Sequence, residues 1–151
     1  MERKKIAIGS DHAGYVLKQQ IKAWLEQQGH EVRDFGTYSE QATDYPDVVH
    51  PLCQAMERGD LAAGILLCGS GNGVAMTANK YAHIRAALCW SEEVARLARS
   101  HNDANVLCLP ARFITSQAAL SMVEKFLATP FEGGRHQRRV EKIAIGNFSC
   151  G

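Results

Sequence analysis

A cysteine that precedes a glycine-rich loop is the part of this sequence best suited to chemistry. The apolar run Ile65–Cys68 leads into Gly69-Ser70-Gly71-Asn72-Gly73, and a helical pattern begins directly afterwards. Glycines let the backbone approach an anion, and the start of a helix directs free N–H groups at it. A thiol beside a helix N-terminus has its thiolate stabilised, although a lone cysteine is most often a small buried hydrophobe. The stretch therefore predicts an anion-binding loop with a thiol base or nucleophile at its edge.

The loop does not match the common nucleotide-binding motifs. Its glycines stand closer together than those of the dinucleotide fingerprint, and the next strand ends at Cys89-Trp90 without the acid expected for a ribose hydroxyl. The Gly-Lys-Ser/Thr of a P-loop is also missing. The loop thus favours a smaller anion, and Ser70 is either a turn residue or a hydroxyl that faces the ligand.

Two other short sequences offer acid–base groups. Asp11 and His12 follow the first predicted strand, where they either cap the next helix or face a ligand. His101-Asn102-Asp103 follows a predicted helix. His101 either complements the dipole of that helix or serves as an acid–base with an amide beside it.

A pair of arginines near the C-terminus suits a phosphate. Arg135 and Arg139 lie four residues apart on one face of a predicted last helix. They either belong to a solvated surface or clamp a phosphate with their forked donors. With a thiol base and an anion-binding loop, such a clamp fits proton abstraction next to a carbonyl on a small phosphorylated substrate.

Alternating strands and helices must position these groups. Apolar runs predict strands near residues 5–9, 30–34, 63–68, 84–90 and 105–109, and helical patterns begin near residues 15, 44, 72, 91, 114 and 136. This order predicts an α/β fold, a Rossmann-like three-layer αβα sandwich with a five-stranded parallel sheet, in a single domain over residues 1–151. Ligands of such sheets bind beyond the carboxyl ends of the strands. We expect the loops at 10–14, 69–73, 91 and 101–103, and the segment after Leu109, to meet there.

Composition restricts the class of protein. The formal net charge of +1 over 151 residues gives no general attraction to nucleic acid or to an anionic membrane. No apolar run approaches the length that spans a membrane, and Ile6-Ala7-Ile8 is too short for the core of a signal peptide. Five cysteines, an odd number without a Cys-x-x-Cys pair, argue against a disulfide framework or a cysteine-rich zinc site and favour the cytoplasm.

The remaining cysteines and histidines are interpreted as structural. Cys53, Cys89 and Cys108 lie within helix or strand patterns and are assigned to the core, and no role is expected for Cys150. Three other histidines show no spacing typical of metal ligands and are expected at the surface: His30, His50 and His83.

Six short motifs give the chain a specific resemblance. It resembles the family of sugar-phosphate isomerases that contains ribose-5-phosphate isomerases of the B type and the galactose-6-phosphate isomerase subunits. The motifs run in the family's order along nearly the whole chain: Gly9-Ser10-Asp11-His12-Ala13-Gly14, Asp44-Tyr45-Pro46, Cys68-Gly69-Ser70-Gly71-Asn72-Gly73, Ala78-Asn79-Lys80, His101-Asn102-Asp103-Ala104-Asn105-Val106-Leu107 and Gly133-Gly134-Arg135-His136-Gln137-Arg138-Arg139.

The resemblance implies an aldose–ketose isomerase of the non-oxidative pentose phosphate pathway. It interconverts D-ribose 5-phosphate and D-ribulose 5-phosphate through an enediolate, without metal or organic cofactor. Cys68 matches the base that moves the proton between C2 and C1, and Val74 stands where another branch of the family has a glutamate base. The backbone N–H groups of the loop match the anion hole, which comprises Gly69, Ser70, Gly71, Asn72 and Gly73.

The resemblance also implies how the rest of the substrate is held. Ser70 matches a residue that helps with the hydroxyl protons, and His101 matches the histidine that opens the sugar ring, with Asp11 as its partner. The phosphate contacts match His12, Arg135 and Arg139, and further substrate contacts match Asn102 and Arg112. The family's site lies between two subunits, which implies a homodimer and leaves open a pairing of dimers into tetramers.

Two other functions remain as alternatives. The first is isomerisation of a six-carbon sugar phosphate such as allose or galactose 6-phosphate, which uses the same chemistry in a longer pocket. The second is a sugar-phosphate sensor without activity. The presence of Cys68, Ser70 and His101 speaks against the sensor, which needs no base.

Overall fold

The computed structural model describes residues 2–147, and Cys150 lies outside this range. Five strands form one all-parallel sheet with the order β2-β1-β3-β5-β4. Their bounds are β1 (Lys5–Ser10), β2 (Glu31–Asp34), β3 (Ala63–Cys68), β4 (Ala86–Leu88) and β5 (Val106–Pro110). The predicted α/β fold with a five-stranded parallel sheet is therefore confirmed.

Helices connect the strands and follow the last one. They are α1 (Tyr15–Gln27), α2 (Tyr45–Glu57), α3 (Asn72–Ala78), α4 (Glu92–Ser100), α5 (Ser116–Ala128) and α6 (Arg135–Glu141), with a short 3-10 turn at His12–Gly14. Among the described residues, no helix combines the length and the apolar character that crossing a membrane requires.

Alternation along the strands creates a hydrophobic core on each face of the sheet. Ile65 and Leu67 of β3 pack in the cluster that includes residues of α1, α4 and α5, whereas Leu66 and Cys68 pack in the cluster that includes residues of α2 and α3. Because side chains alternate along a strand, the thiol at the end of β3 lies on the α2/α3 face. It is thereby directed to the face where α3 begins.

The fourth strand, Ala86–Leu88, is shorter than the predicted run 84–90. The side-chain amide of Asn79 pairs with the backbone of Ala86: Nδ2 donates to the Ala86 carbonyl oxygen at 2.9 Å, and Oδ1 accepts the Ala86 N–H at 2.8 Å. The N–H of Arg85 donates to Oδ1 of Asn105 at 2.7 Å. The Asn79 amide thus satisfies the free edge of β4, a side-chain acceptor takes the place of a ladder bond at Arg85, and α3 ends where Asn79 turns towards β4.

One expectation about the sheet edges is wrong. The loop 101–103 does not lie at the carboxyl edge, because it follows α4 and leads into the amino end of β5. The next residue but one, Asn105, accepts a backbone bond from Gly64 at the start of β3. His101 and Asn102 therefore lie at the amino edge of the sheet, on the opposite side from Cys68.

The expectation that His30 lies at the surface is also wrong, although His50 and His83 are exposed. His30 is 4% exposed, and its Nδ1 accepts the N–H of Lys4 at 3.1 Å. It precedes β2 and connects the end of α1 to the chain that enters β1. Burial, followed by the charge of Lys4, lowers the pKa of this imidazole.

Candidate active site

The thiol of Cys68 lies at the carboxyl edge of the sheet. Cys68 is the last residue of β3, is 5% exposed, and pairs with Pro110 of β5. Its carbonyl oxygen accepts the N–H of Ala111 at 2.9 Å, which holds the end of the strand against the next segment. Val74 of α3 packs in the same apolar cluster. The thiol is therefore fixed between a strand end and the first turn of a helix.

Two glycines of the loop, Gly71 and Gly73, pass too close to their neighbours to carry side chains. Gly71 has φ +78°, and a Cβ there would overlap the Leu88 side chain; a Cβ on Gly73 would overlap the ring of Tyr45. The first N–H groups of α3, which begins at Asn72, have no partners within the helix. The loop therefore presents backbone donors next to the thiol, as an anion hole requires.

Arg112 places a positive charge against this loop. Its N–H donates to the carbonyl oxygen of Gly69 at 3.1 Å, and its guanidinium would lie 3.2 Å from a Cβ on Gly69. Ser70 is exposed, and its Oγ accepts the N–H of Asn72 at 3.3 Å. Ser70 is thus a turn residue whose hydroxyl also faces the open side of the loop.

Asp11 and His12 lie at the same edge. The N–H of Asp11 donates to the carbonyl oxygen of Leu67 at 3.2 Å, one residue before the thiol. Oδ1 of Asp11 caps the 3-10 turn by accepting the N–H groups of Ala13 and Gly14 at 3.0 and 3.2 Å. Both bonds use one carboxylate oxygen, so the capping role leaves Oδ2 outside these contacts.

His12 is held in one tautomer. Its Nδ1 accepts the backbone N–H of Thr43 at 3.1 Å. A ring nitrogen that accepts such a bond carries no proton, so the proton of the neutral ring is on Nε2. Nε2 of His12 is therefore a donor, which suits an anionic group of a ligand.

A buried lysine supports the segment that holds His12. Nζ of Lys18 is fully buried and bonds Oδ1 of Asp34 at 2.7 Å and the carbonyl oxygen of Thr37 at 2.6 Å. The hydroxyls of Thr37 and Thr43 are 3.1 Å apart. The ammonium group thus fixes the loop after β2, whose Thr43 orients the His12 ring.

The other predicted site residues form a second group at the amino edge. His101 follows α4, and its ring stacks on that of His136 in α6 with 4.1 Å between centroids. The loop is held by Asp103, whose carboxylate accepts bonds from Arg85 and Arg99 at 3.3 and 2.9 Å. Asn102 is exposed beside His101, and α6 carries three exposed arginines, of which Arg135 and Arg139 are the predicted phosphate contacts and Arg138 is the third.

Within one chain, the group around Cys68 lies at the carboxyl ends of the strands and the group around His101 lies at their amino ends. The strand β5, five residues long, separates the two edges by roughly 15 Å. Asp11 and His101 are therefore not partners within a chain. The carboxyl-edge group carries the thiol, the anion-binding loop and His12, whereas the amino-edge group carries the second histidine and two arginines.

The other described cysteines are buried thiols, as the sequence predicts. Burial, followed by the charge of Glu57, raises the pKa of Cys53 to about 12, and burial raises that of Cys89 to about 12. The pKa of Cys108 is raised well above its usual value, also chiefly by burial. These three thiols therefore stay protonated near neutral pH.

Four residues near the site were not singled out in the sequence: Lys18, Thr43, Glu132 and His136. A signal existed for Lys18, since it stands among Leu17, Ile21 and Leu25 on the inward face of α1. Glu132 and His136 are about 30 residues from His101 along the chain, so no local spacing reveals that they meet.

Comparison with known proteins identifies the family of this chain. The family model described as Ribose/Galactose Isomerase matches residues 6–143. The chain is 46% identical over 140 residues to ribose-5-phosphate isomerase B of Escherichia coli, covering 93% of this chain and 94% of that protein.

Solved structures of ribose-5-phosphate isomerases have the same fold as this chain. A ribose 5-phosphate isomerase from Thermotoga maritima superimposes with a TM-score of 0.93 at 51% identity, covering 95% of this chain and 99% of that one. Ribose-5-phosphate isomerase B of Mycoplasma genitalium, solved with bound ribulose-5-phosphate, gives a TM-score of 0.88 at 45% identity, covering 92% and 93%. The resemblance of the six motifs is confirmed, and the chain belongs to the ribose/galactose isomerase family.

Proposed function

We propose that this enzyme interconverts D-ribose 5-phosphate and D-ribulose 5-phosphate, with Cys68 as the base. The observation that carries the proposal is the position of the Cys68 thiol, at the end of β3 beside the N-terminus of α3. The thiolate takes the proton from C2 of the open-chain aldose and returns it to C1, so that an aldose becomes a ketose. The relatives named ribose-5-phosphate isomerase B support this choice of substrate.

The glycine loop stabilises the intermediate of this reaction. Removal of the C2 proton moves negative charge onto the carbonyl oxygen and produces an enediolate. The backbone donors of Gly69–Gly73 are fixed before the substrate arrives, because Leu88 and Tyr45 leave no room for the loop to relax. Fixed donors directed at developing charge are the main source of stabilisation in such sites. Ser70 assists the transfer of protons between the two substrate hydroxyls.

Residues from both the carboxyl edge and the amino edge of the sheet bind the substrate phosphate and open the furanose ring. Nε2–H of His12 and the guanidinium groups of Arg135 and Arg139 bind the phosphate, while Asn102 and Arg112 contact the sugar. His101, assisted by Asp11, opens the furanose ring. Since the two groups lie at opposite edges within a chain, we infer a homodimer in which the amino-edge group of one copy completes the carboxyl-edge group of the other.

The base assignment is tested by proton exchange. We expect Cys68→Ala to abolish both turnover and the exchange of substrate C2 hydrogen with deuterated water, while ribose 5-phosphate still binds. Cys53→Ala is the matched control, because it removes another buried thiol, from α2, and should keep most of the activity. Exchange at the wild-type rate in Cys68→Ala would refute the role of the thiol.

The substrate is tested by comparing kcat/KM for ribose 5-phosphate and allose 6-phosphate. A higher value for the pentose phosphate supports the proposal, and a higher value for the hexose phosphate would replace it. Binding of both sugars without exchange at C2 in the wild-type protein would instead indicate a sensor. The place of action proposed is the cytoplasm, which suits the free thiols Cys53, Cys68, Cys89 and Cys108.

A further inference from the structure

Three donor side chains meet at the amino edge of the sheet. Nε2 of His101 is 3.9 Å from one carboxylate oxygen of Glu132, and Nε2 of His136 is 3.6 Å from the other. All three ligand atoms lie within 4.8 Å of one another. The phosphate and ring-opening roles proposed above account for His101 alone and give no role to Glu132 or His136.

The spacing of these atoms suits a metal ion better than direct hydrogen bonds. Distances of 3.6 and 3.9 Å are longer than an N–H···O bond. A tetrahedral zinc ion has bonds of about 2.0–2.1 Å to nitrogen and oxygen, so its ligand atoms lie roughly 3.4 Å apart. The three donor atoms lie within 4.8 Å of one another, so side-chain rotations that shorten their separations by up to about 1.4 Å bring them to one ion, and these include rotation of the stacked imidazoles.

The backbone holds the three donors in place. The N–H of Glu132 donates to the carbonyl oxygen of Ser100 at 3.0 Å, which ties it to the end of α4 next to His101. The side chain of His136 is 9% exposed, and its N–H donates to the carbonyl oxygen of Gly133 at 3.0 Å. The two imidazole rings stack 13° from parallel, and the Nε2 atoms of both rings lie within 4 Å of the Glu132 carboxylate.

We propose that His101, Glu132 and His136 form a binding site for one zinc ion, and that its occupancy inhibits the enzyme. Two imidazoles and a carboxylate leave one position of a tetrahedral ion for water. Imidazole donors favour zinc over calcium or magnesium, which prefer all-oxygen sites. The nearby cations Arg135 and Arg139 oppose any cation, so the ion is held by ligation rather than by net charge.

The inhibitory part rests on the proposed function. A zinc ion takes the lone pair of Nε2 on His101, so this nitrogen can no longer exchange a proton in the ring opening proposed for His101. Zinc at this site should therefore slow isomerisation without binding to Cys68, because Cys68 lies at the carboxyl edge of the same chain.

Zinc binding is measured first, without any activity assay. With Cys150 replaced by serine throughout, to remove the thiol near the C-terminus, equilibrium dialysis should give one zinc per chain. Glu132→Gln and His136→Gln should each weaken the affinity at least tenfold. His83→Gln, which removes an exposed histidine, and Cys68→Ser should leave it unchanged. Undiminished binding in both Glu132→Gln and His136→Gln, or loss of zinc in Cys68→Ser, would overturn the site. Circular dichroism of each variant separates a lost ligand from a lost fold.

Inhibition is measured second. Zinc should lower turnover over the concentration range in which it binds, a chelator should restore it, and Glu132→Gln should need at least tenfold more zinc for the same inhibition. An active enzyme that binds zinc at this cluster and keeps its full rate would overturn the inhibitory role. Zinc binding is measured by dialysis and does not depend on activity. A protein without activity on ribose 5-phosphate would therefore refute the proposed function, and the dialysis result would still decide whether the zinc site exists.

Discussion

Lys18 shows how a residue outside the site can determine what a site residue does. Its ammonium group is fully buried, a costly position for a charge unless it is paired. Asp34 supplies the opposite charge, and the Thr37 carbonyl oxygen supplies a second acceptor. The bond from Thr43 to Nδ1 of His12 depends on the loop that these contacts hold. Lys18 therefore positions the His12 ring, to which the proposed function gives a phosphate contact.

We expect Lys18→Met to raise KM for ribose 5-phosphate by about tenfold, which corresponds to about 1.4 kcal/mol of binding. The value of kcat should change little, since a phosphate contact acts on the ground state and the transition state alike. Lys22→Met is the matched control, because Lys22 approaches the same Asp34 at 3.5 Å and is partly exposed.

Lys18→Met leaves Asp34 without its buried partner, which could unfold the protein, so a double variant is used as a second test of the role of Lys18. Lys18→Met combined with Asp34→Asn removes the buried charge on both sides and should show the same rise in KM. A folded Lys18→Met protein with wild-type KM would contradict the positioning role. Thermal melting, followed alongside the kinetics, shows which variants are folded at the assay temperature.

At the scale of elements, periodicity predicted nearly all of the helices and strands. The apolar run Ala63–Cys68 coincides with β3, and Ser91 caps α4 by accepting the N–H of Val94. The errors arose where a side chain bonds the backbone, as where Asn79 bonds Ala86 at the free edge of β4, because such pairing is a tertiary contact. Local patterns do not contain that information.

The edge to which a loop belongs was the harder problem. The polar character of His101-Asn102-Asp103 suggested the carboxyl edge, although the sequence places this loop between a predicted helix and a predicted strand. Connectivity decides it, since a loop from helix to strand enters the amino end of a parallel sheet. The candidate residues were thus found by type, but their division into two groups needed the topology, and the meeting of Glu132 with His101 needed the full fold.

The junction between α1 and β2 makes stability depend on pH through His30. Its pKa is lowered from the ordinary value of 6.5, chiefly by burial. The unfolded chain therefore binds the proton more tightly, so the stabilisation is complete above about pH 6.5 and is lost as the pH falls below it. One such group changes the free energy of unfolding by at most about 1.4 kcal/mol per pH unit.

We expect His30→Gln to lose less stability than the wild type between pH 7.5 and pH 5. The glutamine oxygen can still accept the Lys4 N–H, so the packing contact is kept while the titration is removed. Urea unfolding at both pH values gives the comparison, with His83→Gln as an exposed control. An equal loss in His30→Gln and the wild type would show that His30 does not contribute.

At the scale of the whole molecule, the residues given roles in the proposed reaction are divided between the two edges of the sheet. Cys68, the glycine loop and His12 lie at the carboxyl edge, His101 and two arginines lie at the amino edge, and roughly 15 Å of sheet separates the two edges. A helix rearrangement large enough to bring His101 to Cys68 within one chain would dismantle the packing of α4 against α5. The proposed symmetric dimer would need no change of fold, because each copy would supply the group of residues that the other copy's site lacks.

A heterodimer of two inactive variants tests this arrangement. We expect Cys68→Ala and His101→Ala to be strongly impaired as homodimers, since every site then contains one defect. In a heterodimer, one site contains both defects and the other contains none, so about half of the wild-type activity should return. Co-expression with two different affinity tags, followed by purification on both, isolates this species.

The control uses two defects from the same edge. Cys68→Ala paired with Arg112→Ala leaves one defect in each site of the heterodimer, and activity should stay at the level of the parents. Recovery in the first pair without recovery in the second is expected only if the two edges come from different chains. If the first pair stays as inactive as its parents, each site is built within one chain, and His101 must reach Cys68 by a movement that this structure does not contain.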